Sequence, residues 1–141
     1  MRRAIYSVLA CAFLMLGITL LLAAQVHPAQ QADDIPVTDG GSGPCSIEFS
    51  VTDGDAKPVY AARIDVHMAY GAFGAHKLDM SVYTNAQGKA RFTGIPIKVR
   101  KPPIEFQAKK GDLIGLATMY PLTECQAKHD IVLDKAKPPA Q

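Results

Sequence analysis

The sequence predicts an all-β domain, a seven-stranded antiparallel sandwich over Cys45 to Asp134 preceded by an N-terminal hydrophobic helix. Three observations carry this. Apolar and polar residues alternate with period two in run after run, helical periodicity is absent once the N-terminal segment ends, and turn signals recur roughly every ten residues.

The elements are taken in chain order. Arg2 and Arg3 precede an uncharged stretch from Ala4 to Ala24. Two cations before an apolar run keep the N-terminus inside while the chain crosses the membrane. Residues 1–24 are therefore expected to be a signal peptide or an N-terminal transmembrane anchor. As a helix the apolar run would reach about 30 Å, enough to span a bilayer. Its order, a tightening core followed by Ala23-Ala24, is also that of a cleavable leader. The chain beyond it is expected to be extracytoplasmic, in the periplasm or at the cell surface. Pro, Gly, Asp, Gln and Ser dominate residues 25–44, which predicts a flexible linker. The end of the chain, residues 135–141, reads as a disordered tail.

Between them, Ile47, Phe49 and Val51 alternate with Ser46, Glu48 and Ser50, and Asp53-Gly54-Asp55 makes a turn. Ala62, Ile64, Val66 and Met68 alternate with Arg63, Asp65 and His67, which puts His67 on the solvent face. Leu78, Met80 and Val82 are set against Asp79, Ser81 and Tyr83. Thr84 to Lys89 is a hairpin loop with Gly88 supplying positive φ. Ala90 to Thr93 comes next, closed by Gly94-Ile95-Pro96. Lys101-Pro102-Pro103 marks an edge or crossover, because proline brings no ladder donor. Ile104, Phe106 and Ala108 form the next strand. Leu113 to Tyr120 is expected to be buried on both faces, with Leu116 in the core. His129 to Leu133 closes the fold with Ile131 and Leu133 inward.

Two cysteines fall in the domain, Cys45 and Cys125, one near each end. An even pair in an oxidising compartment predicts a disulfide. The span holds 11 Lys+Arg against 10 Asp+Glu. So even a balance argues against nucleic acid as a partner.

The frame "Ser46-Ile-Glu-Phe-Ser-Val-Thr-Asp-Gly-Asp-Ala-Lys-Pro-Val-Tyr-Ala-Ala-Arg-Ile-Asp-Val" followed by "Thr84-Asn-Ala-Gln-Gly-Lys-Ala-Arg-Phe-Thr-Gly-Ile-Pro" resembles the carboxypeptidase regulatory-like domain family. That resemblance implies an Ig-like or transthyretin-like sandwich and a carboxypeptidase regulatory-like domain over residues 45–134. It carries no catalytic activity with it. The chain has neither the His-x-x-Glu nor the His-Glu-x-x-His spacing of zinc peptidases.

No nucleophile elbow is present either, so no enzyme is expected, and no cofactor. The functional expectation is a non-catalytic module for binding or structural support at the cell envelope, with an unknown protein or glycan partner. The membrane would be engaged through the N-terminal segment if it stays uncleaved. The alternative is a copper-handling protein using His67, His76 and the methionines Met68, Met80 and Met119, since imidazole and thioether ligands suit Cu(I). Ala69 to His76 is the candidate recognition loop. Its Tyr70, Phe73 and His76 are interleaved with small residues, a composition suited to adaptable contact.

Overall fold

The computed structural model describes residues 34–136. The signal or anchor segment 1–24, the first part of the linker and the last residues of the tail lie outside the described residues. Within them the domain is all-β, with eight strands: β1 (Val37–Asp39), β2 (Cys45–Asp53), β3 (Arg63–Tyr70), β4 (His76–Tyr83), β5 (Lys89–Ile95), β6 (Ile104–Lys110), β7 (Leu113–Met119) and β8 (Gln126–Lys135). No helix among the described residues is long and apolar enough to cross a membrane.

The strands form one sheet in the order β1-β5-β2-β8-β7-β6-β3-β4. It folds over on itself. Strand β8 pairs along most of its length with β2 but meets β7 only at Leu113↔Lys135 and Ile114↔Asp134. The sheet bends at that sparse seam. The free edges β1 and β4 then come together, where the Thr38 hydroxyl donates to the Ser81 carbonyl at 2.9 Å. The result is an almost closed, flattened barrel.

Alternation drives the closure. Ile47, Phe49 and Val51 of β2, Ile64, Val66 and Met68 of β3, and Phe92, Phe106 and Ile131 all point inward and are buried. Phe49, Phe92 and Phe106 meet at the centre, with ring centroids 6.2, 4.9 and 5.4 Å apart. Contacts of this kind add about 0.5–1.5 kcal/mol per pair beyond area burial. They join β2 and β5 on one half of the folded sheet to β6 on the other.

The expected hairpin from Thr84 to Lys89 is instead a turn between β4 and β5, two strands that do not pair with each other. The Asn85 side chain accepts from the Gln87 and Lys89 amides, and the Thr84 hydroxyl donates to the Val59 carbonyl while accepting from the Ala62 amide. Gly88 has φ 73°, and a Cβ there would lie 2.3 Å from the Val51 carbonyl oxygen. Only glycine fits.

Several expectations need correction. Eight strands are present rather than seven, and the sheet is mixed rather than antiparallel, because β1 runs parallel to β5 and β2 parallel to β8. Strand β1 arises inside the stretch expected to be a linker. Three residues suffice for it because β5 offers an edge and the Pro36 carbonyl accepts from the Arg91 amide.

Strand β7 is not buried on both faces. Gly115 and Met119 point inward, while Leu116 is 56% exposed. The cause is the close approach of β8: a Cβ on Gly115 would lie 2.4 Å from the Ile131 side chain. Small residues must face inward there, and the leucine takes the outer parity.

Cys45 and Cys125 are joined by a disulfide across a separation of 80 residues. It staples the first residue of β2 to the residue preceding β8, beside the in-register parallel pairs that begin at Ser46↔Gln126. In the loop-entropy account such a crosslink stabilises by about 4 kcal/mol. Cys125→Ser is therefore expected to lower Tm by roughly 20 °C, read by circular dichroism, and unchanged melting would refute a stabilising crosslink. In the same assay Val66→Asp should leave no folded domain, and Leu116→Asp should melt within a few degrees of the wild type. Equal damage from both would show that the parity of β3 or β7 is misread.

Candidate functional site

The outer face of the half-sheet β4-β3-β6 is polar because its inner face is the core. On β3 the inward Ile64, Val66 and Met68 force Arg63, Asp65 and His67 outward. The β3–β4 register sets Asp65 opposite Ser81 and His67 opposite Asp79, and the β3–β6 register sets Asp65 opposite Gln107. Continuing that register by two residues brings Glu105 level with His67. Together these side chains line a groove of about 470 Å³. A second groove of about 320 Å³ shares His67 and Glu105 and runs on to Arg100 and Lys101. His67 stands between the two.

His67 is held. Its Nδ1 is hydrogen-bonded to Asp79 Oδ1 across the strand pair. A carboxylate can only accept, so in the neutral ring Nδ1 carries the proton and Nε2 keeps its lone pair, turned away from Asp79. The two side chains are 63% and 73% exposed. Pairs so open to water stabilise a fold little. What the contact does achieve is to fix the ring's tautomer and direction.

Beside it, Arg63 Nε donates to Asp65 Oδ1 at 2.8 Å. The groove thus offers donors and acceptors of both signs, with Ser81, Gln107 and Glu105 completing the set.

The other sequence candidates are dispersed. Tyr70 is half-buried at the end of β3, shares a 2.9 Å hydrogen bond with Ser42 Oγ, and its ring lies 5.2 Å from that of His76. Phe73 stands in solvent in the turn between β3 and β4. His129 is on β8, with Nε2 3.2 Å from Glu124 Oε2. Met68, Met80 and Met119 are buried in the core.

A copper site built from these residues is therefore not supported. The thioethers point inward, His67 points outward, and the His76 ring lies against Tyr70. Alternation in the sequence places His67 on the solvent face but does not disclose Asp79, Glu105 and Gln107 as its neighbours. A period-two pattern gives a residue's face, and only the strand register gives its neighbour.

No family model and no curated protein matches the chain. Solved structures do. The dioxygenase domain of a dioxygenase–carbohydrate-binding fusion protein from Streptomyces sp. SirexAA-E superposes with a TM-score of 0.53 at 15% identity, over 74% of this chain and 92% of that one. The likeness is one of fold. Hydroxyquinol 1,2-dioxygenase from Pseudomonas putida DLL-E4 is more distant, with a TM-score of 0.48 at 12% identity, over 74% of this chain and 63% of that one. Catechol 1,2-dioxygenase from Acinetobacter sp. ADP1 gives 0.47 at 11% identity, over 74% and 60%. The chain spans about three-fifths of the length of these two enzymes.

The fold likeness corrects the resemblance to a carboxypeptidase regulatory-like, transthyretin-like domain. It likewise overturns the expectations of a non-catalytic envelope module and of no enzyme, because the superposed Streptomyces chain is a dioxygenase domain. Oxygen insertion, however, calls on a redox metal or an organic cofactor. Among the described residues no three His, Cys, Asp or Glu side chains gather at one point. Each of the three described imidazoles has a different neighbour: Asp79, Tyr70 or Glu124. Such a donor set does not fit a two-histidine, one-carboxylate centre.

One further polar cluster lies on the other half-sheet. Glu48 is flanked across the strands by Arg91 and Lys128, and the Arg91 guanidinium is hydrogen-bonded to its carboxylate. That hydrogen bond holds the Glu48 carboxyl below its ordinary value of 4.5, against the opposing effect of burial and with help from the charge of Lys128. A lowered carboxyl pKa contributes stability above the unfolded value, and the contribution is lost as pH falls through the folded one. Arg91 is 41% exposed, so solvent screening limits the effect to about 1 kcal/mol or less. Glu48→Gln is expected to lower Tm by a few degrees at about pH 7 and to melt like the wild type at about pH 3. A difference that persists in acid would assign the loss to packing instead.

Proposed function

We propose that the domain is an extracytoplasmic enzyme in which His67, aligned by Asp79, transfers a proton to or from a hydroxyl-bearing small molecule lodged in the β4-β3-β6 groove. The observation that carries this reading is the His67–Asp79 hydrogen bond at the junction of two grooves. It fixes one nitrogen as donor to the carboxylate and leaves the other free as a base. General bases of this kind contribute about 10²- to 10⁴-fold to a reaction.

The substrate class comes from the lining. Arg63, Ser81 and Gln107 donate, Asp65, Glu105 and Gln107 accept, and with Asp79 the lining sets three carboxylates against one guanidinium. Such a lining repels an anion, and its acceptors suit a molecule that donates through several hydroxyl groups. The dioxygenase-type fold supports an enzyme, and the residues of the groove supply the reaction class. An extracytoplasmic location is supported by Arg2 and Arg3 ahead of the apolar run. The Cys45–Cys125 disulfide agrees with it, since such bonds persist in oxidising compartments.

The test uses a reaction that needs only a positioned base, the ring-opening elimination of 5-nitrobenzisoxazole. The expected result is a saturable rate that His67→Gln and Asp79→Asn each lower about tenfold or more, while Ser50→Ala, on the other half-sheet, leaves it unchanged. A wild-type rate no greater than that of free imidazole at equal concentration would refute the proposal. Retention of the rate in His67→Gln would move the base elsewhere.

A further inference from the structure

The two ends of the barrel differ in character. At one end the turns carry Asp53, Asp55, Asp112 and Asp134, interspersed with lysines. The other end is built from four connections: the β3–β4 turn, the β5–β6 crossover, the β7–β8 loop and the β1–β2 loop. The first two are joined. The Arg100 amide donates to the Ala69 carbonyl at 2.8 Å, and Val99 bridges Tyr70. The crossover and the β7–β8 loop together wall an apolar groove of about 390 Å³ that includes Tyr120, Leu122 and Lys98.

Large apolar side chains project from this second end. Phe73 is 98% exposed, Leu122 68% and Tyr120 49%. Phe73 holds φ 57°, a left-handed conformation that bulky residues rarely adopt. Gly71 and Gly74 on either side of it, at φ 77° and 74°, let the turn form. Among these rings stand the cationic side chains of Lys98, Arg100 and Lys101, all exposed. Of the acidic residues near this end, Glu124 is paired with His129, Asp39 accepts from the Gly41 amide, and Glu105 lies on the groove that Arg100 and Lys101 also line.

Exposed apolar tips set in a ring of cations are the composition of a surface that enters the headgroup layer of a bilayer. The rings reach the acyl boundary and the cations meet anionic headgroups. A protein interface would deplete lysine rather than gather it around the rings. The sequence itself opens on arginines and an apolar run, which brings a bilayer within the chain's expected surroundings.

We propose that the end formed by Phe73, Tyr120 and Leu122 with Lys98, Arg100 and Lys101 seats on an anionic lipid surface. This stands independently of the chemistry assigned to His67.

The chain contains no tryptophan, so a single introduced indole reports its own position. Phe73→Trp is made in the full chain and reconstituted into phosphatidylcholine vesicles with and without about a third phosphatidylglycerol. Tyr60→Trp, exposed on the connection between β2 and β3, serves as the control for the opposite end. With anionic vesicles, the emission of the indole at position 73 should shift to the blue and be quenched by brominated lipid. The indole at position 60 should show neither change.

Each basic residue near an anionic surface strengthens binding about fivefold. Adding Arg100→Glu and Lys101→Glu to the Phe73→Trp chain should therefore abolish the quenching. The same spectra in neutral and anionic vesicles would overturn the proposal. So would equal quenching at positions 60 and 73, or quenching that survives the charge reversals. An unshifted emission from position 73 would refute the lipid assignment and leave this end to a protein or glycan partner. Phe73 is in solvent, so its replacement spares the core, and an intact Cys45–Cys125 bond by mass verifies the fold.

Discussion

Contact among Phe49, Phe92 and Phe106 is the interaction on which the rest depends. The sheet is continuous in hydrogen bonding, but at β7–β8 it is joined by only two residue pairs. Without an apolar centre the two halves would have no reason to face each other. The three rings, one from each of β2, β5 and β6, supply that centre, and the alternating strands then have an inside. Once Ile64, Val66 and Met68 are committed inward, Arg63, Asp65 and His67 have nowhere to go but the outer face. The polar groove is the reverse side of the core.

Strand β2 is the second dependency. It lies between β5 and β8, antiparallel to one and parallel to the other. A parallel pair cannot be closed by a short turn, so β2 and β8 must find each other across most of the domain. The disulfide fixes one end of that pairing. On the outer surface Glu48, between Arg91 and Lys128, ties three strands through one carboxylate. Cross-strand charge pairs favour one register over its neighbours, and here the register also decides which residues face the Phe cluster.

Much of this is legible in the residues. The alternation in β2, β3 and β4 gives their faces, Gly88 marks a tight turn although not the expected hairpin, and the placement of Cys45 and Cys125 at the domain ends points to their pairing. What is not legible has physical causes. Strand direction leaves no trace in a period-two pattern, so the two parallel pairings escape it. Val37–Asp39 holds its place through backbone groups offered by β5, which composition does not encode. Leu116 misleads because β7 packs so close to β8 that Gly115 must take the inner position. For the site, the face of His67 can be read, but its alignment by Asp79 depends on how the Gly71–Ala75 turn sets the register of β3 against β4. The resemblance to a regulatory-like domain rests on turn motifs that many β-proteins use, and such motifs do not specify a topology.

The proposed chemistry depends on one side chain being oriented rather than merely exposed. Long-range correlation spectra linking the ring nitrogens of imidazole to its carbon-bound protons measure that directly, because they distinguish a protonated ring nitrogen from a bare one. For the neutral form of His67 the structure requires a protonated Nδ1 and an unprotonated Nε2, with the pattern lost in Asp79→Asn. The Nε2–H tautomer, or a pattern in His67 that Asp79→Asn leaves unchanged, would contradict it and remove the base from the groove.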